Sequence, residues 1–355
     1  MKKIYQRSIY TKNDAALAFF LALLLPSVFL INFILIFYPG FFTGQAALSN
    51  ASIFIKIIAT IISQVAFAFI FFIMNKTLRV DYKKANKISF KLSARNILLS
   101  VLIGLIMLFG LNPLINMIDI GIAKLGHEPS TLPLSLDTVG WLLLNIVFMA
   151  ILPAIFEEFL FRGIIFNGLK QYGKKAAIVL SAVLFMLVHG SIDQTVYPLL
   201  FGFVLALIAY RSNNIVNSIV AHFINNATVL TINFFALKTN FNIDFLYFKP
   251  TLLNIFLSIL IAAITITLAF FLTKLYKKEN TNYDFTQDEK SMLAETLLQE
   301  DKSDSEILDN LSQKQWEYLY TQKYNVRALE ASAQKKNMLL WVSIGISIIL
   351  WIISI

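Results

Sequence analysis

The sequence contains no cysteine among its 355 residues. That absence excludes disulfide bonds, thiolate metal ligands, a cysteine nucleophile and lipid attachment through cysteine. Charged side chains are also scarce, at 14% of the chain against about 25% in a typical soluble protein. Apolar residues make up 57%. This composition predicts a membrane protein rather than a soluble protein of two domains.

The apolar residues form long runs that predict membrane-spanning helices. The run from Ala15 to Tyr38 is too long for a cleavable signal peptide, so we interpret it as the first membrane helix. The sequence predicts an all-α, polytopic transmembrane helix bundle of about 8–9 spans. The nine runs lie at about 15–38, 52–74, 96–118, 138–168, 176–190, 195–211, 214–236, 251–273 and 338–355.

Basic residues are concentrated in every second loop, after the second, fourth, sixth and eighth runs. The positive-inside rule therefore places these loops and the N-terminus in the cytoplasm. The net charge of +9 is explained by this orientation and by contact with membrane lipid, and we expect no nucleic-acid partner. The Lys-, Asn-, Ile- and Phe-rich composition indicates a multi-pass protein of a bacterial plasma membrane.

Polar side chains interrupt three of the apolar runs at helical spacing. Glu158 and Arg162 are four residues apart, share a helix face and can pair. Glu157 points about 100° away and is free to face a neighbouring helix. Later runs add two pairs with the same spacing, Phe185 with His189 and His222 with Asn226, which follows Asn225. Ionisable groups are costly in hydrocarbon and usually mark function, so this pattern predicts a catalytic site in the membrane.

Depth along the helices supports convergence of these residues. At a rise of about 1.5 Å per residue, Glu157, His189 and His222 each lie roughly 17–21 Å from a basic loop. They therefore reach a similar level in a core about 30 Å thick. Pro153 and Gly163 flank the glutamates, which predicts a kink or break that admits water.

The three patterns, Glu157-Glu158…Arg162, Phe185…His189 and His222…Asn226, resemble the family of CAAX prenyl proteases and bacteriocin-processing enzymes, also called CPBP or Abi proteins. The resemblance covers about residues 138–235. It implies an intramembrane endopeptidase that cleaves with water rather than an enzyme nucleophile. Glu157 and His189 would activate the water, and His222 and Asn226 would stabilise the oxyanion. Glu158 and Arg162 would orient the site.

A metal-dependent alternative stays open, in which Glu157, His189 and His222 hold zinc and leave a fourth position free. The sequence lacks His-Glu-x-x-His, the helical motif of many zinc proteases. We therefore favour the metal-free glutamate mechanism over the zinc mechanism. The expected substrate is a membrane-associated peptide or protein, as in peptide maturation, bacteriocin immunity or processing of a membrane regulator.

Residues 279–337 contain 12 of the 21 acidic residues and predict a cytosolic helical segment that docks a protein partner. An alternative function follows from it: a non-proteolytic scaffold or regulator of a partner enzyme or sensor kinase. A proton- or ion-coupled transporter is a second alternative, although the sequence shows no inverted repeat. We divide the chain into N-terminal transmembrane helices (1–137), a catalytic core (138–236), an additional transmembrane helix (237–278), the acidic segment (279–337) and a C-terminal transmembrane helix (338–355).

Overall fold

The computed structural model of the chain is helical. It describes residues 7–37, 48–85, 87–126, 136–239, 249–279, 328–329, 331–332 and 337–353. Within these residues there is no β-strand, only an isolated bridge between Arg7 and Val80. The predicted all-α class is therefore confirmed. Most of the acidic segment 279–337 lies outside the described residues, so its helices and its docking role stay predictions.

We number the helices of the described residues α1 to α10. Helix α5 is one continuous helical stretch that contains two π-helical segments. The helices are α1 Lys12–Phe37, α2 Leu48–Thr77, α3 Tyr82–Ala85, α4 Ala94–Lys124, α5 Val139–Tyr172, α6 Lys174–Leu187, α7 Val196–Ser212, α8 Ile215–Thr239, α9 Leu252–Thr273 and α10 Met338–Ile353.

Six of the described helices are long and apolar enough to cross a membrane, namely α1, α2, α4, α5, α8 and α9. Helices α6, α7 and α10 are shorter, with 14, 17 and 16 residues, whereas a straight crossing takes about 20. Together these helices coincide with the nine predicted apolar runs. The chain is therefore a multi-pass membrane protein, as predicted.

The distribution of polarity is that of a membrane bundle. Large apolar side chains such as Leu253 and Phe256 on α9 face outward and are 66% and 62% exposed. Polar side chains lie inside, where Glu158, Arg162 and Asn217 are fully buried. Lipid offers no hydrogen bonds, so polar groups are satisfied between helices while the apolar faces contact hydrocarbon.

Helix α7 joins two apolar cores. One core contains residues of α1, α2, α5, α6 and α10 and includes Ala206 and Leu207 of α7. The other contains residues of α4, α8 and α9 and includes Phe201 and Leu205 of α7. The polar residues of α5, α6 and α8 lie around this central helix, so the candidate site is surrounded by packed apolar side chains.

Near Pro153 and Gly163 the helix does not break: α5 stays continuous and contains a pair of π-helical segments, while the predicted kink stays a prediction. These segments are Ile146–Ile151 and Phe159–Ile165. In each, the N–H at the segment's end bonds to a carbonyl five residues earlier. Asn167 Nδ2 donates to the backbone oxygens of Arg162 and Gly163, at 3.1 and 2.7 Å. The glutamates thus lie in an α-helical segment, Leu152–Glu158, between two π turns, which are frequent at functional sites.

The basic residues of the alternating loops meet at one end of the bundle. The backbone N–H of Lys12 donates to the side chain of Gln171 in the last turn of α5, and Lys87 is within electrostatic range of Lys170. Arg211, at the end of α7, donates to the Phe270 carbonyl of α9. This arrangement agrees with the loop pattern of the sequence. The cytoplasmic orientation of this end stays a prediction.

Candidate active site

The innermost part of the site is an ion pair. Arg162 Nη1 donates to Glu158 Oε1 at 2.9 Å, and both side chains are fully buried. Arg162 Nη2 donates to the Gly202 carbonyl of α7 at 2.9 Å. A Cβ at Gly202 would lie 2.9 Å from Phe185 Cδ1. The close packing of α7 against Phe185 therefore favours glycine at position 202. The pairing predicted from the four-residue spacing is present, and it is tied to α7 as well.

His222 of α8 lies between the two glutamates. Its Nδ1 is 3.1 Å from Glu158 Oε1, and its Nε2 is 4.0 Å from Glu157 Oε2. The ion-paired carboxylate can only accept, so we assign the proton to Nδ1 of His222. Glu158 therefore fixes the imidazole ring with Nε2 directed toward Glu157. The side chains of His222 and Glu157 are 5% and 12% exposed.

The phenyl ring of Phe185 lies between Arg162 and the two histidines of the site. Its centroid lies 4.5 Å from the Arg162 guanidinium carbon and 5.0 and 6.1 Å from the rings of His189 and His222. His189 Nδ1 lies 2.7 Å from the Phe185 carbonyl oxygen. A carbonyl only accepts, so Nδ1 of His189 carries a proton and Nε2 faces away.

The structure therefore brings Glu157, Glu158, Arg162 and His222 into direct proximity. His189 joins them through Phe185 and lies within electrostatic range of Glu157 and His222.

The paired asparagines of α8 make separate contacts. Asn226 Nδ2 donates to the Met149 carbonyl in the first π segment of α5, at 3.1 Å. Asn225 Nδ2 donates to the Tyr197 hydroxyl and to the Gly104 carbonyl of α4, at 3.3 Å. Asn225 therefore ties α8 to α4 and α7. Asn226 lies one helical turn from His222, and its amide has a second N–H besides the one bonded to α5.

Gln64 of α2 also contacts the candidate site, although no sequence pattern indicated it. Its Nε2 donates to Glu157 Oε1 at 3.0 Å, and the residue is 5% exposed. The only signal was a single amide in the second apolar run. One polar residue in such a run does not reveal its partner. Glu157 thus does face a neighbouring helix, as its angle around α5 predicted.

A cleft of about 380 Å³ lies between α1, α2, α6 and α10, and its lining includes sequence neighbours of two site residues. Val188 and Gly190, the neighbours of His189, line it, as do Ser63 and Phe67, which flank Gln64 on α2. The remaining lining comes from Ala22, Leu23, Pro26, Ser27, Leu30, Leu187 and Leu350. Its size falls within the range of pockets that bind ligands, and its walls are mainly apolar.

The side chains as placed do not fit the three-ligand zinc site. Two ligands of a tetrahedral zinc, each about 2.0–2.2 Å from the metal, lie roughly 3.4 Å apart. Glu157 Oε2 and His222 Nε2 are farther apart, at 4.0 Å. In the part of the chain that the structure describes, no three His, Asp or Glu side chains are grouped closely enough to hold a metal ion.

The fold defines a polytopic helical membrane protein with a cluster of buried polar side chains between its helices. Residues 139–228 match the family model of the Rce1-like type II CAAX prenyl endopeptidases. This segment contains all three motifs, so the match confirms the resemblance and supports a protease-type function. No curated protein and no solved structure matches the chain.

Proposed function

We propose that the protein is an intramembrane endopeptidase that hydrolyses a peptide bond in a membrane-associated peptide or protein. One observation carries the proposal: Glu157 Oε2 and His222 Nε2 face each other across 4.0 Å, and each side chain is held from its other end. A gap of this width accommodates one water about 2.8 Å from both atoms. It also accommodates the attacked oxygen of a substrate carbonyl.

Glu157 is the general base of this mechanism. Its carboxylate accepts a proton from the water as the water oxygen bonds to the carbonyl carbon, and the carbonyl becomes an oxyanion. The tetrahedral intermediate then collapses, the carbon–nitrogen bond breaks, and the leaving amine takes the proton from Glu157. One water is consumed, one carboxyl and one amine end are formed, and Glu157 returns to its starting state.

The two histidines have different parts in this step. His189 donates from Nδ1 to Phe185, so its neutral ring offers Nε2 to hold the water. His222 already donates from Nδ1 to Glu158, so it can donate to the oxyanion only with both nitrogens protonated. In that form Glu157, Glu158, Arg162 and His222 sum to zero charge, which suits a buried cluster. The second N–H of Asn226 is a further candidate oxyanion donor.

The cleft indicates how a substrate reaches the site. Its mainly apolar walls include sequence neighbours of both His189 and Gln64, so we infer that a hydrophobic segment of a membrane-bound peptide lies there while a bond is presented to Glu157. We place the protein in a bacterial plasma membrane with its basic end in the cytoplasm, because Lys and Arg accumulate on that side. Maturation of a secreted peptide, bacteriocin immunity and processing of a membrane regulator all supply such substrates.

The test compares cells that express the wild type with cells that express Glu157→Gln. Mass spectrometry of new protein termini in their membranes should find at least one terminus that depends on Glu157. With a fluorogenic peptide that spans the mapped bond, Glu157→Gln should lower kcat by about 10²–10⁴ without changing expression. The wild type should keep its activity after chelation and contain no stoichiometric zinc. Identical termini in both strains would overturn the protease assignment.

A further inference from the structure

Gln64 occupies an unusual position in α2. It lies outside the segment 139–228 that matches the family and is buried to all but 5% of its surface. The neighbouring residues of α2, from Ile61 to Phe69, are mostly apolar. Its side chain crosses to α5 and donates from Nε2 to Glu157 Oε1, at 3.0 Å. Helix α2 therefore supplies a hydrogen-bond donor to the carboxylate that faces His222.

The second polar atom of this amide shows that the contact has a cost. Because the Glu157 carboxylate accepts, the amide must present its nitrogen, and Oε1 is directed elsewhere. Gln64 Oε1 is buried and accepts no hydrogen bond from the residues that the structure describes. A buried acceptor without a donor costs about 1–3 kcal/mol. A leucine or methionine at this position would avoid that cost, so packing alone does not account for glutamine here.

The hydrogen bond from Gln64 orients the carboxylate of Glu157. Its two carboxylate oxygens are chemically equivalent, and a free carboxylate can turn about its last bond. A donor on Oε1 fixes this rotation and leaves Oε2, the oxygen 4.0 Å from His222 Nε2, directed at the gap. Without the donor, the carboxylate can turn and pair directly with His222, which closes the gap to water.

We propose that Gln64 is a positioning residue that holds the Glu157 carboxylate in the geometry for activating water. This inference rests on the proposed endopeptidase function. It predicts that loss of the donor affects the chemical step rather than substrate binding. Displacement of a reacting group by about 1 Å can lower the rate about 10²-fold. Removing a residue that does not react itself but orients a reacting group commonly lowers activity about 10–100-fold, an effect known best from metal sites.

The experiment compares the full-length wild type with Gln64→Met and Gln64→Glu. Methionine has a similar length and no donor, whereas glutamate keeps the shape and replaces the donor with an acceptor. The probe is the fluorogenic peptide that spans the bond mapped in cells. Both variants should lower kcat by about 10–100-fold and leave KM within about twofold, with Gln64→Glu the more severe because it places two carboxylates together. Gln64→Met should unfold at the same temperature as the wild type or higher, since it removes the orphaned oxygen.

The matched control is Ser258→Ala in α9, which also removes a buried polar atom that has no partner in the described residues. It should change neither kcat nor KM. A Gln64→Met protein with normal kcat and lowered thermal stability would show a merely structural role and overturn the inference. If the wild type and Glu157→Gln are equally inactive, the proposed function fails and the inference falls with it. If only Glu157→Gln is inactive while both Gln64 variants cleave normally, the inference alone fails.

Discussion

Two buried or half-buried carboxylates show how differently this bundle uses acidic residues. Glu158, inside the bundle, is bound by Arg162 and His222, which can both carry charge. Among the residues that the structure describes, Glu279, at the basic end, accepts hydrogen bonds only from neutral N–H groups. The Glu279 cluster consists of this carboxylate with the backbone N–H of Ser93 and the side-chain amides of Asn96, Asn214 and Asn217, at 2.7–2.8 Å.

The difference in partners separates structural ties from reactive groups. Neutral amides neither gain nor lose protons over the physiological range, so the Glu279 cluster joins α4, α8 and the end of α9 in one fixed arrangement. His222 can change its protonation, and it faces a second carboxylate across a gap. A network of that kind can move protons. We therefore expect the Glu158 cluster, defined as Glu157, Glu158, Arg162 and His222, to set activity and the Glu279 cluster to set stability.

The largest expected effect comes from breaking the ion pair of the Glu158 cluster. Glu158→Ala leaves Arg162 charged and unpaired in a dry interior, which should lower the free energy of unfolding by about 3–5 kcal/mol. It should also remove cleavage, because His222 loses the acceptor that orients its ring. Unfolding in mixed detergent micelles measures the first effect and the fluorogenic peptide the second.

A double variant provides the control for this prediction. Glu158→Ala with Arg162→Met removes both charges, so it should recover much of the lost stability while remaining inactive. A single variant that unfolds like the wild type would contradict the importance of the pair. A double variant that cleaves normally would show that orientation of His222 does not depend on Glu158.

The Glu279 cluster should respond in the opposite way. Glu279→Gln keeps the shape but turns an N–H toward amides that also donate, so unfolding should become easier by about 1.5–3 kcal/mol. The kcat for the fluorogenic peptide should stay within about threefold, since a tenfold change would need 1.4 kcal/mol at the transition state. Unfolding and kinetics on one preparation give both values.

Asp137→Asn is a suitable control, since it makes the same carboxylate-to-amide change at an exposed position just before α5. If Glu279→Gln abolished cleavage in a folded protein, the assignment of stability alone to the Glu279 cluster would be wrong.

A hydroxyl contact beside the Glu279 cluster should be insensitive to pH near neutrality. The Tyr276 hydroxyl bonds with Ser100 Oγ at 2.8 Å, and burial raises the pKa of Tyr276 above its ordinary value. The neutral hydroxyl is therefore retained at every pH below about 10, the ordinary value for tyrosine. Stability from this contact is lost only as the pH rises beyond that range.

Local spacing determined how much of the site could be predicted from the sequence. The pairing of Glu158 with Arg162 follows from a four-residue offset on one helix. The approach of His222 follows from matched depth in the membrane. The position of His222 between both glutamates could not be predicted, because it depends on how α8 packs against α5. The Gln64 contact is likewise tertiary, since one amide in an apolar run specifies no partner.

The fold shows the same division. Runs of apolar residues and alternating basic loops were sufficient for the all-α, multi-pass class. The π segments of α5 were not predicted, because Pro153 and Gly163 signal a disturbance without determining whether the helix breaks or changes register. The Glu279 cluster draws on residues from three separate parts of the chain, which no local pattern connects.

The smallest expected effect concerns the cleft. Unlike the Glu158 cluster, which should set activity, and the Glu279 cluster, which should set stability, the cleft should affect substrate binding alone. Ser63→Leu adds an apolar side chain to the cleft wall. Ser63 Oγ donates only within α2, to the Ala59 carbonyl at 2.8 Å, so its loss breaks no bond between helices. A filled cleft should raise KM about 3–10-fold for a peptide with a hydrophobic segment, as expected when one or two methylenes of space are lost. The kcat should stay close to the wild-type value.

Two comparisons make this last prediction specific. Val65→Leu, on the outward face of the same helix where Val65 is 56% exposed, adds a methylene toward lipid and should leave KM unchanged. A short polar peptide with the same scissile bond does not need the cleft, so Ser63→Leu should leave its KM unchanged as well. Equal KM values for the hydrophobic peptide in wild type and Ser63→Leu would mean that substrates reach Glu157 by another route. The walls formed by α1 and α10 would then serve helix packing alone.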